Sequence, residues 1–165
     1  MTPGVKRAIL VGGGLALLLA WIAMRFFLQG TYVRGNAMAP ELPDGALLVS
    51  LRASGHVDRG TVVLFQAPLP CPTPLVGRVL AISGDRVEVD GVDIRLNPPP
   101  NPHATTDTSL TPAGVPDNPV RWSLTVPPAY VFVAADQRSA TCDSRSFGPV
   151  PTQSITHTKL FAITK

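Results

Sequence analysis

Turn-forming residues set the strongest limit on this chain's fold. Its 165 residues include 18 prolines and 14 glycines. That is about 19% of the chain, against roughly 12% in average usage. Helix interiors do not carry breakers at this density. Between the breakers lie short apolar runs of strand length. ALLVSL (46–51) follows Pro43-Asp44-Gly45, and TVVLF (61–65) follows Asp58-Arg59-Gly60. LVGRVLAI (75–82) precedes Ser83-Gly84-Asp85. RVEVD (86–90) and VDIRL (92–96) flank Gly91, and Asp90-Gly91 between alternating runs is a hairpin signal. WSLTV (122–126), YVFVAA (130–135) and ITHTKLFAI (155–163) complete the set. After residue 30 there is no heptad, internal repeat or long amphipathic helix. Parallel βαβ units are therefore not expected, and the fold class is mainly β, a coiled sheet, barrel or sandwich. An apolar content of 45% and a mean hydropathy of +0.22 exclude a disordered chain.

Residues 97–119, NPPPNPHATTDTSLTPAGVPDNP, break the pattern with seven prolines in 23 residues. They read as an exposed Pro-rich loop, either a surface insertion or a docking segment.

The N-terminus has a different grammar. Residues 8–24, AILVGGGLALLLAWIAM, are 17 residues without a charge, and Phe26 to Leu28 continue them past Arg25. From Ala8 to Leu28 a helix would reach about 31 Å, the thickness of a bilayer core. Lys6 and Arg7 before the run place the N-terminus in the cytoplasm and the rest outside. The expected organisation is a cytoplasmic stub and transmembrane anchor over 1–29 and an extracytoplasmic β domain over 30–165. A cleaved signal peptide is the alternative; its apolar core would be long, and no A-x-A site precedes Gly30. A buried core helix is the third reading.

Charge and cysteine usage fit this location. The net charge is +3, yet from Gly30 onward 11 basic residues balance 11 acidic ones. No basic stripe remains to bind nucleic acid. Cys71 and Cys142 make an even pair outside the cytosol, either a disulfide or two free thiols. His56, His103 and His157 lack metal-ligand spacing, so no metal and no cofactor is expected. Gly12-Gly13-Gly14 lies in the apolar run and reads as helix-packing glycine rather than a phosphate loop. No G-x-S-x-G elbow occurs.

Four segments behind the anchor carry a specific wording: YVRGNAMAP (32–40), DRGTVVLF (58–65), GRVLAISGDRV (77–87) and VPPAYVFVAADQRSATCDSRSFGPV (126–150). In order and content they resemble signal peptidase I, the membrane-bound serine peptidases that include pilin-processing conjugation peptidases. The family patterns run Y-x-V-x-G-x-S-M-x-P, R-G-D-x-V-x-F, K-R-V-x-G-x-x-G-D and G-D-N-R-x-N-S-x-D-S-R-x-x-G-x-V. The resemblance spans about residues 30–160. Its most specific part is Asp143-Ser144-Arg145 followed by Phe147-Gly148 and Val150.

The resemblance implies a serine nucleophile and a lysine general base. Here the serine slot holds Ala37 and the lysine slot holds Gly77. A methyl cannot attack a carbonyl, and a lysine base requires an amine whose pKa burial has lowered. The lysines are Lys6, Lys159 and Lys165, so no gap placement brings one into the central sheet. Lys159 falls on the terminal strand, where the family often carries a surface basic residue. Arg78 stays protonated and cannot serve as base. One Ser→Ala change could be an engineered knockout, but two losses fit natural divergence better.

What remains reads as scaffold. Asp136, Arg138, Asp143 and Arg145 are expected to form one network, with Thr141 in the slot of a serine hydroxyl and Ser144 beside it. By resemblance, Gly35, Asn36, Ala37, Met38 and Pro40 form one wall of a groove that holds substrate as an extended strand. Met38 and its neighbours are equally readable as core.

The resulting expectation is an inactive, single-pass protein of the inner or plasma membrane with a periplasmic domain. Its partners would be the lipid bilayer, an exported or pilus-type polypeptide and a secretion or assembly complex. Two alternatives stand beside it. One is an active peptidase drawing on Ser50, Ser139, His56, His157, Asp136 or Asp143. The other is a structural envelope protein that uses the Pro-rich loop.

Overall fold

The structure, a computed structural model, describes residues 3–97, 121–139 and 142–164. Most of the Pro-rich segment and Thr141 lie outside the described residues.

Helix α1 (Pro3–Phe27) runs directly into strand β1 (Leu28–Tyr32). All of its described side chains are exposed, Leu17 and Phe26 among the most open. Among the described residues no helix is long and apolar enough to cross a membrane. The helix is therefore observed, and the expected span is not.

The rest is mainly β. A seven-stranded sheet has the order β1-β2-β10-β3-β4-β8-β9. Its further strands are β2 (Leu47–Arg52), β3 (Val62–Phe65), β4 (Leu75–Ile82), β8 (Tyr130–Ala134), β9 (Val150–Pro151) and β10 (Ile155–Ile163). A second sheet, β6-β5-β7, joins β5 (Arg86–Asp90), β6 (Asp93–Leu96) and β7 (Arg121–Thr125). The large sheet does not close, since β1 and β9 are its ends; the barrel expectation is corrected to an open sheet. Asp90 and Asp93 close the β5–β6 hairpin around Gly91, whose φ of 59° suits a residue without a Cβ.

Strand β3 explains the core. Val62, Val63, Leu64 and Phe65 are all buried because both faces of this central strand are covered. Val63 and Phe65 join Val79, Val131 and Val133 on one face. Val62 and Leu64 join Met38, Leu42 and Leu48 on the other. Each such side chain contributes about 1.5–3 kcal/mol when fully buried. A third cluster, with Val87, Trp122 and Phe132, lies between the small sheet and β8.

Cys71 and Cys142 are bonded, with Cα atoms 5.8 Å apart across 71 residues of sequence. In the chain-entropy model a loop of that length is worth about 4 kcal/mol.

Candidate active site and peptide groove

The segment after β1 is fixed by local hydrogen bonds. Val33 N–H donates to Ala46 O at 2.9 Å and Gly45 N–H to Val33 O at 2.9 Å, which extends the β1–β2 ladder. Asp44 then clamps the following turn. Its Oδ1 accepts from Gly35 N–H at 2.6 Å, and its own N–H donates to Asn36 Oδ1 at 3.3 Å. This turn delivers Ala37, half-buried, and Met38, which is 1% exposed. Ala37 O accepts from Gln137 N–H at 2.9 Å, joining the nucleophile slot to the chain just past Asp136.

The base slot is apolar and filled. Gly77 lies on β4 opposite Val63 of β3. A Cβ built on Gly77 would lie 2.5 Å from Val133 Cγ1, with Ala134 O and Phe65 Cε1 each at 3.4 Å. Val133 is β-branched, stiff at χ1 and fully buried, so it does not yield easily. Surroundings of this polarity would lower a lysine's pKa. Here the space holds a valine methyl instead.

A cleft of about 610 Å³ opens beside Ala37, with Thr31, Val33, Met38, Leu64, Pro74 and Val76 on its walls and floor. Its position follows from the pairing. β1 is an end strand, so one edge is unpaired. β4 pairs β3 from Leu75 but meets β8 only from Arg78 onward. The cleft runs between these two unpaired backbone edges, the geometry that accepts an added strand. Thr31 Oγ1 is buried without a hydrogen-bond partner. Of the expected wall residues, Ala37 and Met38 line the cleft. Gly35 and Asn36 build the turn that presents them, and Pro40 is exposed beyond it. Met38 is both core and groove floor.

The expected charge network divides in two. Asp143, buried at the start of the short helix α2 (Ser144–Phe147), accepts from Arg145 Nη2 at 2.7 Å and Nε at 2.9 Å. It also accepts from the backbone N–H of Arg145 and of Ala135. Arg145 Nη1 reaches Arg138 O at 2.6 Å, and Arg138 Nη1 donates to Ala135 O at 3.1 Å. Ser144 Oγ accepts from Val133 N–H at 2.9 Å. The same brace thus holds the strand whose valine fills the base slot.

Asp136 belongs to the other half, which corrects the single-network expectation. Arg78 binds it through Nε at 2.9 Å and Nη2 at 2.7 Å, and Nη2 also reaches Glu41 Oε2 at 2.6 Å. Asp136 raises the Arg78 pKa further, and burial only partly opposes it, so Arg78 stays charged. Lys159 binds Glu41, and Lys159 and Arg78 together hold that carboxyl below its usual range. Lys159 is therefore a half-buried partner rather than a free surface residue. The Glu41–Lys159 contact went unseen in the sequence because it spans 118 residues.

The alternative nucleophiles do not assemble. Ser50 is fully buried and donates to Gln29 O at 3.1 Å. Ser139 is exposed. His56 lies on the surface beside Asp58 at 3.4 Å. Asp136 and Asp143 are bound to arginines. Among the described residues no serine hydroxyl bonds a histidine, and no cluster could hold a metal ion.

A long N-terminal helix thus leads into an open, mainly β sheet with a cleft between two free edges. The chain belongs to the signal peptidase family, peptidase S26, whose family model matches residues 7–163. It is 28% identical over 139 residues to mitochondrial ATP-independent inner membrane protease subunit 1a of Arabidopsis thaliana, covering 82% of this chain and 70% of that one. It is 29% identical to signal peptidase I of Bacillus caldolyticus, over 76% of this chain and 74% of that one. Plasmid transfer protein TraF of Escherichia coli is 28% identical over 88% of both chains. Across relatives of this kind the chain spans from 36% to 88% of their length.

Proposed function

We propose that this protein is a signal peptidase I-type scaffold that binds polypeptides as extended strands and does not cleave them. One observation carries the reading. The cleft between β1 and β4 is kept open, while Val133 fills the space that a side chain on residue 77 would need. With Ala37 in the nucleophile slot and Gly77 in the base slot, neither slot supplies a hydroxyl or an amine. The refilled base slot favours natural loss over a single engineered change at Ala37. Exported or pilus-type polypeptides are the partners that such a groove would meet outside the cytoplasm, alone or within a secretion or assembly complex.

The same reading places the protein at a membrane, with 1–29 as anchor and 30–165 outside. The exposed apolar residues of α1 support it. So does the outer face of β1-β2-β10, where Tyr32 (69% exposed) aligns with Leu47 and Ile163 (55%), and Phe161 (52%) aligns with Val49. Such a face needs an apolar cover.

The test compares two labelled extended peptides rich in small residues, identical except for backbone N-methylation on alternate residues. Fluorescence anisotropy with the full-length protein in detergent reads their affinities. The unmethylated peptide is expected to bind and its methylated twin to lose at least tenfold, since it lacks the edge-pairing donors. Equal binding by both, or binding by neither, overturns the reading.

A further inference from the structure

The groove does not stop at Thr31. A second cleft of about 280 Å³ adjoins it, lined by Gln29, Gln66, Thr73, Pro74, Thr156 and His157. Leu64, Thr73 and Pro74 border both clefts, so the two share a floor and a wall. Gln29 lies next to Thr31's neighbour Gly30 on β1, at the end of the strand nearest α1. Gln29 lies on β1 and Ala37 on the turn beyond its other end, so an extended chain laid along β1 passes both clefts. One bound strand could therefore occupy both clefts.

Their chemistry differs. The first cleft is mostly apolar at its floor, and the second presents amides, hydroxyls and an imidazole. His157 is half-buried on β10, opposite Leu64 of β3 on one side and Arg52 of β2 on the other. The charged groups near it are few. β2 supplies Arg52, which has no ion-pair partner among the described residues. β10 supplies Lys159, already bound to Glu41. β1 supplies Gln29, while Leu64, Gln66 and residues 72–74 add no charge. Arg52, across the ladder from His157, thus stands beside the second cleft with no carboxylate to answer it, and the cleft lining has no carboxylate of its own. Burial, and then Arg52, hold the His157 pKa below its ordinary value. A carboxylate arriving there would relieve both.

Resting on the groove reading above, we propose that the second cleft selects an acidic side chain in the bound peptide, with His157 and Arg52 as its receivers. The occupant is an Asp or Glu side chain of the bound peptide, several residues from the one that meets Ala37. Charge-assisted hydrogen bonds of this kind contribute about 1.5–3 kcal/mol, or roughly tenfold or more in affinity.

The experiment scans one aspartate, and separately one asparagine, along an otherwise neutral extended peptide. The readout is the Asp-over-Asn affinity ratio at each position, with full-length protein. One position toward the end of the bound segment farther from Ala37 is expected to show a ratio of roughly ten. Arg52→Gln and His157→Gln are each expected to bring that ratio toward one. A flat ratio along the scan, or a peak that survives both substitutions, overturns the inference and leaves the groove reading standing. A flat scan in which Arg52→Gln instead lowers capture of anionic phospholipid vesicles also overturns it, in favour of a headgroup contact. Failure of every peptide to bind removes the groove reading and this inference together.

Discussion

The Ala37–Gly77 side of the site and the Asp143–Arg145 side differ in what their residues offer. On the first, each reactive group expected of the family is missing, and a valine methyl fills one of the spaces. On the second, the carboxylate, guanidinium and serine remain in a buried lattice. Through Ser144 and Asp143 that lattice holds the strand that carries the valine. A chain losing all function would have no reason to keep the costly half, since buried charges are tolerated only when fully paired. On the function proposed above, the difference fits a fold maintained for its groove.

The largest expected effect comes from breaking the retained half. Asp143→Ala leaves a nearly buried Arg145 without its carboxylate and Ala135 N–H without its acceptor. Losing one partner of such a pair costs about 3–5 kcal/mol. Thermal unfolding should show a fall of roughly 8–15 °C for a domain of this size. A fall of two degrees would show that the brace is dispensable.

A smaller effect sharpens the other half. Gly77→Ala forces its Cβ against Val133 Cγ1. Overpacking of this kind costs about 1–3 kcal/mol. Adding Val133→Ala should recover part of that loss, so a double-mutant cycle in urea should return a favourable coupling. Additive costs would mean that Val133 does not fill the slot.

The smallest effects come from pH. His157 titrates below its unfolded value, so the stability it contributes is complete above about pH 6.5 and declines as pH falls through its folded pKa. Glu41 and Asp85 are also depressed. Lys159 and Arg78 cause the shift at Glu41. At Asp85, burial works the other way but is outweighed by the Ile82 N–H and Arg59. Their contributions are present above roughly pH 4 and decline below it. Each partly exposed pair is worth under about 1 kcal/mol, so urea midpoints should drop in two shallow steps. Glu41→Gln should flatten only the more acidic one.

Much of the fold was legible from residue order. Strands 75–82, 86–90 and 155–163 fall where apolar runs and their turns place them. β1 was missed because Leu28 continues the apolar run and Gln29-Gly30-Thr31 has no alternation. Its strand character comes from pairing with β2. The Ala37 and Gly77 slots are assigned by motif order and resemblance alone. Val133 as the filler was not, since only the β4–β8 packing brings it over Gly77. Nor was the Lys159–Glu41–Arg78–Asp136 chain, which joins four distant segments. The second cleft was invisible for the same reason, with Gln29 and His157 separated by nearly the whole domain.

The most direct test of the central claim is intact-mass spectrometry of a signal-peptide-bearing precursor incubated with the full-length protein in detergent. An active signal peptidase I serves as the positive control. An unchanged precursor mass, with the control cleaved, is the predicted result. A product cut after a small residue, and still formed by protein purified through a second independent route, would contradict it.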